Sequence, residues 1–538
     1  MPLFINYASY SPSGDRQTTR VHPRCLLLVG LSVVCFTTDA LAPNAGVAWG
    51  QPAALRKNQQ LFQDQHQKLR DRFLADLEKF KNRCRDEAAA DEADEIERLI
   101  ELSREPEVGL ESLPDDIQPP LPGELPPDEL ARRKELKRLR TTYAAALYVH
   151  ARKALKGKHL SLAYDLIHEA AFHDPDHVSV RDMLGYVRHQ NRWVTPVAQA
   201  MLKQKKVWHP SFGWIPKAHV ERYENGERYC KGSWMTQVKE AGIRSDFNNA
   251  WEIRTDHYLI KTNHSLERGV EIGLALEEFY RYFMQTFTGF FNSPDQINAL
   301  FQGGLTPGRK STQFRPYEVH YFRTEDEYDQ RLKAKIPQIE MTNGLYYTSD
   351  RVAYFFDDPN ANGLATLFHE ASHQLFYESK SKDRSIAESA HFWIIEGIAC
   401  YFESFQIDNG RVRIGDPQFE RFRAARIRLL RDNYYVPLEQ FAGMGMQAFQ
   451  TDTTNIQKNY SQASGLAEFF MNYNQGEYRD ALIAHLSQLY EGKNTGKEVK
   501  TLADLTGVDY EVLDQQYKIY LQEIETALNA KPPAVIPR

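Results

Sequence analysis

Two histidines and two glutamates in the C-terminal half of this chain have the types and spacing of a hydrolytic metal centre. In LFHEASHQLF, His369 and His373 are four residues apart, so on an α-helix they project from one face about one turn from each other. Two imidazoles placed that way can share one cation. Glu370 follows the first histidine, where a carboxylate can take a proton from a metal-activated water and pass it to a leaving group. Leu364, Leu367, Phe368, Ala371 and Leu375 recur at helical spacing around the motif, which predicts a buried helix beginning near Ala361. A second apolar helical run, HFWIIEGIACYFESF, brings Glu396. Two histidines and one carboxylate leave the fourth tetrahedral position open for water, the donor set of a catalytic rather than a structural zinc site. The expectation is one Zn2+ ion on His369, His373 and Glu396, with Glu370 as general base.

Other ligand-type residues lie close by. His391 and Cys400 flank Glu396, but a lone histidine or cysteine on a packed helix is more commonly just buried. Glu403 is seven residues beyond Glu396, on the same helix face and about 10 Å further along, too far to bind the same ion. A structural ion pair is its expected role.

HEASH followed by WIIEGIACYFE resembles the gluzincin peptidases, the class containing thermolysin and the aminopeptidase N family. Trp393, Glu396, Gly397, Ala399, Tyr401 and Glu403 match that family's second motif, W-x-x-E-G-x-A-x-Y-x-E, one for one. More closely, the whole chain resembles a group of exported bacterial peptidases with helical N-terminal regions, a resemblance that is specific over Tyr346 to Phe470 and general before it. It implies an α+β metallopeptidase domain, a small mixed sheet plus active-site helices, with the ligands and base named above. It also implies that Tyr460, in NYSQASGLAEFF, presents a phenol to the developing oxyanion, and that Gly344 to Tyr347 supply the edge strand along which an extended substrate binds. Two departures weaken a closer match. No Gly-x-Met-x-Asn precedes the metal helix, so recognition of a free N-terminus is not implied, and Cys400 stands where thermolysin-like enzymes carry the aspartate that orients a ligand histidine. Another group must then orient it.

The elements that position these residues follow from the pattern around them. From about Trp251 the chain mixes strand and helix: HYLIKT and YEVHYF alternate as strands, and LERGVEIGLALEEFYRYF carries Ile272, Leu276, Phe279 and Phe283 as a helix stripe. GLYYTSDRVAYFF predicts a hairpin turning at Ser349-Asp350, and after Gln406 the chain is mainly helical. Residues 251–530 are therefore assigned to the metallopeptidase-like domain, with 531–538 as a tail. Upstream, residues 49–103 form a charged helical segment with a stripe of Leu61, Leu69, Phe73, Leu77 and Phe80, and the Pro-rich acidic stretch 104–128 reads as a linker. Residues 129–250 are expected to be a helical, tetratricopeptide-like region, with Leu136, Leu139, Tyr143 and Leu147 on one stripe and Ala163, Ala170 and Pro175 at repeat-like positions.

At the N-terminus, Arg16, Arg20 and Arg24 precede the apolar run Cys25 to Phe36, so residues 1–48 read as a signal peptide cleaved after Ala42 or Ala48. The run is too short to span a bilayer, which takes about 20 apolar residues. The expectation is an exported protein, periplasmic or extracellular, with no membrane span after processing. Three cysteines would then remain, Cys84, Cys230 and Cys400, and that odd number without paired spacing argues against a disulfide framework. The net charge of -6 includes no long single-sign block, so charge names no nucleic-acid partner. The expected partner is a peptide or protein substrate. Two other readings stay open: a helical-repeat scaffold whose peptidase-like domain binds without cleaving, and a hydrolase of a non-peptide amide or ester.

Overall fold

A computed structural model describes residues 50–104, 113–114, 116–118, 125–292, 294–301, 315–358, 364–380, 386–408, 411–451, 454–491 and 499–530. The expected signal peptide, most of the linker, the predicted helix start at Ala361 and the tail lie outside them.

The N-terminal part is helical. Helices α1 (Gly50–Asp86) and α2 (Ala90–Arg104) pack as a pair, as do α3 (Pro127–Lys156) and α4 (Leu160–His173). The apolar stripes meet in one core, where Phe73, Leu77, Phe80, Ile96, Leu139, Tyr143, Leu147, Ala163, Leu166 and Ala170 are buried. Leu61, assigned to the same stripe, is half exposed at 52%. The α4 helix stops at His173, before the predicted Asp174-Pro175 break, because proline cannot continue the hydrogen-bond ladder.

The expectation of helices throughout 129–250 is corrected. The run of consecutive helices ends at Met183, and from Val187 the chain alternates three small hairpins with short helices. The hairpins pair Val187–His189 with Arg192–Val194, Lys206–His209 with Gly213–Pro216, and Glu227–Cys230 with Ser233–Thr236. Each second strand carries a tryptophan as its second residue, Trp193, Trp214 and Trp234 in turn. Thr195 and Thr236, two residues after the first and third of these, each cap the following helix with their side chains. Strands of three or four residues are too short to display an alternating period, so pattern reading misses them. The thrice-repeated WVTP, WIPK, WMTQ was the available signal.

A five-stranded mixed sheet follows, built from β1 (Trp251–Arg254), β2 (Tyr258–Thr262), β3 (Tyr317–Phe322), β4 (Gly344–Tyr347) and β5 (Val352–Phe356) in the order β4-β5-β3-β2-β1. The inner pairs β5/β3 and β3/β2 are parallel and the outer pairs are antiparallel, which leaves β4 at one edge. One face packs against α5 (Leu266–Thr286), whose Ile272, Leu276, Phe279 and Phe283 are all buried as the stripe required. The same core takes in α6 (Ala365–Lys380), α7 (Phe392–Phe402), α8 (Glu420–Leu430), α9 (Ile456–Gly476), α10 (Arg479–Glu491) and α11 (Tyr510–Ala530). The protein is thus mixed α+β, with a helical N-terminal part. That part docks on the α9–α10 junction: Ser161 donates through N (3.1 Å) and Oγ (2.5 Å) to Asp480, and Arg479 pairs with Asp165 at 2.9 Å. Among the described residues, no helix is long and apolar enough to cross a membrane.

Candidate metal centre

Helix α6 is pinned to the sheet by Gln374, whose Nε2 donates to the Glu318 carbonyl of β3 at 3.2 Å. That fixes which helix face looks away from the sheet, and His369 and His373 lie on it with ring centroids 4.9 Å apart. Helix α7 is buried along its whole length, which explains its apolar composition on every face. Its first amides are satisfied by a neighbouring loop rather than by a capping side chain: His391 N–H donates to the Ala442 carbonyl at 2.7 Å and Phe392 N–H to that of Met444 at 3.2 Å. Helix α9 crosses α7 at Gly397, where a Cβ would sit 2.5 Å from the Ala463 carbonyl oxygen. Glycine at that point lets α7 seat deeply enough to present Glu396.

These elements bring the predicted ligands together. The Nε2 atoms of His369 and His373 are 3.2 Å apart, and Glu396 lies 3.6 Å from the first and 3.9 Å from the second. All three residues are buried, and their ligand atoms lie within 4.8 Å of one another, close enough to hold one metal ion. Both Glu396 carboxylate oxygens are buried without a hydrogen-bond partner, as is Oε1 of Glu370. Two imidazole nitrogens and a carboxylate converging on one point, with both carboxylate oxygens unmatched, fit a cation. Without one, a proton takes its place. Burial works against charge on His369, but Cys400, Glu396 and Glu403 outweigh it and raise its proton affinity well above the ordinary. Burial and the neighbouring His369 push His373 far below.

Glu370 is held from the other side. Its Oε2 accepts the backbone N–H of Tyr346 on β4 at 2.8 Å, while Oε1 is buried without a hydrogen-bond partner. Burial pushes this carboxyl up to about 8, against the pull of His369. A cation beside it would draw that value down. Tyr460, on α9, is buried, accepts a hydrogen bond from Gln450 Nε2 at 3.3 Å, and is raised in pKa by burial and then by the Glu396 carboxylate.

The rivals are sorted by geometry. His391 stacks edge-on against His485 and shares a 3.4 Å contact with it, away from the ligand cluster. Glu403 does form the expected ion pair, with Arg421 Nε on one oxygen at 2.8 Å and Nη2 on the other at 3.0 Å. Its Oε1 also accepts from Nδ1 of His369 at 2.8 Å, so the second nitrogen of a candidate ligand is fixed by a carboxylate. Burial alone would raise the Glu403 carboxyl, yet Arg421 and His369 hold it at about 2. Glu403 thus supplies a charged acceptor on Nδ1 that sets the tautomer and aims Nε2 at the centre. Cys400 lies beside this pair, and His369, Cys400 and Glu403 form a second group close enough for a metal. The Arg421 guanidinium against Glu403 makes that second group electrostatically unsuited to another cation. Sequence reading missed Arg421, whose signal was slight, one arginine among several in ERFRAARIRLL.

Residues 363–493, a span that includes every residue of this site except Tyr346, match the family model described as "Protein of unknown function (DUF1570)". No curated protein and no solved structure matches the chain.

Proposed function

We propose that the chain is a zinc-dependent peptidase, with His369, His373 and Glu396 as metal ligands and Glu370 as general base. The observation that carries this reading is the buried convergence of two imidazole nitrogens on a carboxylate with both oxygens unpartnered, beside a second carboxylate with one oxygen unpartnered. Such a nitrogen and oxygen donor set suits zinc and keeps a coordination position for water. Held by His369, His373 and Glu396, a zinc ion would supply Lewis acidity towards a water and a carbonyl near neutral pH.

The remaining roles fall to this chain's own groups. Glu370 Oε1 accepts the proton of the attacking water while Oε2 stays on the Tyr346 N–H, and the same oxygen returns the proton to the leaving nitrogen. Glu403, itself held by Arg421, keeps His369 in one tautomer. The Tyr460 phenol, protonated through burial, donates to the oxyanion as it forms. A peptide is favoured over another amide or an ester because β4 stands at the sheet edge and its Tyr346 N–H already reaches the base, so an extended chain laid there meets backbone groups beside the site. The arginines and apolar run before Phe36 favour action outside the cytoplasm.

The test is Glu370→Gln. Zinc measured in the purified full-length variant is expected to stay stoichiometric while cleavage of a mixed peptide library drops by roughly 1,000-fold or more. Undiminished cleavage rejects the mechanism.

A further inference from the structure

The N-terminal helices frame a cavity that shares no residue with the metal centre. It measures about 280 Å³ and is lined from α1, α2, α3 and the end of α4. Ligand pockets run from about 300 to 1,000 Å³, so this one has the size for a small molecule and not for a folded partner.

Its walls are of two kinds. Phe80, Ile96 and Leu136 make one part apolar. The rest carries charge of both signs. Arg132 is paired with Glu87 and Glu92, and Arg133 with Glu129. The other charged lining residues are Lys137 and Arg140 on α3, Glu95 on α2 and Asp174 just beyond α4. Lys137 and Arg140 are three residues apart, hence neighbours on one helix face. The Arg140 guanidinium is anchored by Phe172, whose carbonyl accepts Nη2 at 2.7 Å and whose ring lies 5.6 Å away. The side chains of Lys137, Glu95 and Asp174 have no ion-pair or hydrogen-bond partner among the described residues. One exposed charge of that kind is ordinary, because water satisfies it. Cations on one helix and acids from two others around a cavity with an apolar wall are a more particular arrangement.

His173 lines the same cavity and is buried, at 3% exposure. Phe73, Tyr143 and Phe172 pack edge-on around its ring at 4.9, 5.0 and 4.8 Å, which fixes the imidazole in place. Burial pushes its pKa down to about 3, so the ring is neutral and offers a hydrogen bond that favours neither sign of charge.

We infer that this cavity binds a small zwitterion with an apolar side chain, a free α-amino acid or a dipeptide. Its carboxylate meets Lys137 beside Arg140, its ammonium meets Glu95 and Asp174, and its side chain covers Phe80, Ile96 and Leu136. A simple anion or cation would set one pair of lining charges against it, and a hydrocarbon would leave both pairs unused. The inference is independent of the peptidase reading; if that reading holds, ligands of this class are products of the cleavage.

The experiment is calorimetric titration of chelator-treated full-length protein with leucine and Leu-Leu, and with the N-acetyl form (no ammonium) and C-terminal amide (no carboxylate) of each. At least one zwitterion is expected to bind, the tighter of the two giving the ligand's length, and each of its blocked forms to bind about 10-fold more weakly. Lys137→Glu is expected to remove the preference over the amide, and Glu95→Lys that over the N-acetyl form. Both side chains are exposed, so the melting temperature should not move. No binding of either zwitterion, equal binding of the blocked forms, or a preference that survives its substitution overturns the inference. Absence of Glu370-dependent cleavage removes the peptidase reading alone.

Discussion

Each half of the molecule buries a carboxylate among histidines, and the two clusters differ in what they lack. In the N-terminal helices, Glu169 is matched on both oxygens: Oε2 contacts His66 Nε2 at 2.6 Å and Arg70 Nη2 at 3.4 Å, and Oε1 accepts the Tyr143 hydroxyl at 2.6 Å. Burial would raise this carboxyl, but His66, Arg70 and Tyr143 together hold it at about 2. At the α6–α7 crossing, Glu396 has neither oxygen matched and Glu370 only one. The first cluster is closed and serves the fold. The second is open, and its deficit is the size of a cation. Unmatched acceptors separate the two.

The sharpest way to break this contrast is to neutralise each carboxylate. Glu396→Gln is expected to weaken zinc binding by more than the roughly 100-fold that removal of an outer-shell partner causes. Glu169→Gln should act on the fold instead, destabilising it by about 2 kcal/mol because His66 and Arg70 lose their charged acceptor, an amount discounted for the partial exposure of Glu169. Denaturant unfolding checks it, and no loss would place Glu169 outside the fold's essential contacts.

Acid should distinguish the clusters as well. The Glu169 carboxyl titrates lower in the folded chain than the value of about 4.3 in an unfolded one, so its contribution is complete above that pH and disappears as the pH falls toward 2. Comparing wild-type and Glu169→Gln stability between pH 6 and pH 2 should show the difference closing across about pH 4.5 to 2. A constant difference would mean that charge is not the cause.

Smaller effects probe the supports of the open cluster. Gly397→Ala forces α7 away from the Ala463 carbonyl and should cost about 1–3 kcal/mol, with zinc binding weakened as Glu396 is displaced. Glu403→Gln should reduce zinc affinity by about 10-fold while leaving Glu370-dependent chemistry in place, readable by competition with a chelator. Undiminished affinity there would reduce Glu403 to the plain ion pair that its spacing first suggested.

Much of the site was legible because it is local. Two histidines one helical turn apart, a glutamate beside the first, and an apolar helix carrying another glutamate are statements about spacing, and helical geometry converts spacing into direction. The stripes of α5 and α3 were legible for the same reason, since a period of three to four survives over several turns. The Trp-bearing hairpins were not, because three-residue strands carry too little pattern. Leu61 shows the complementary limit: it fits a periodic stripe, yet it is 52% exposed, with no element among the described residues burying it.

By itself the sequence determined which side chains point together along each helix, and so named His369, His373, Glu370 and Glu396. Only the tertiary structure decided that Glu403 grips the far nitrogen of His369, that Arg421 from α8 holds Glu403, that Tyr346 lends its N–H to the base, and that Glu396 stays unmatched. Each of these joins residues on separate elements whose approach is set by packing, above all by the missing side chain at Gly397. Spacing along a chain says nothing about such distances across a core, because they follow from how helices and sheet fill space around one another.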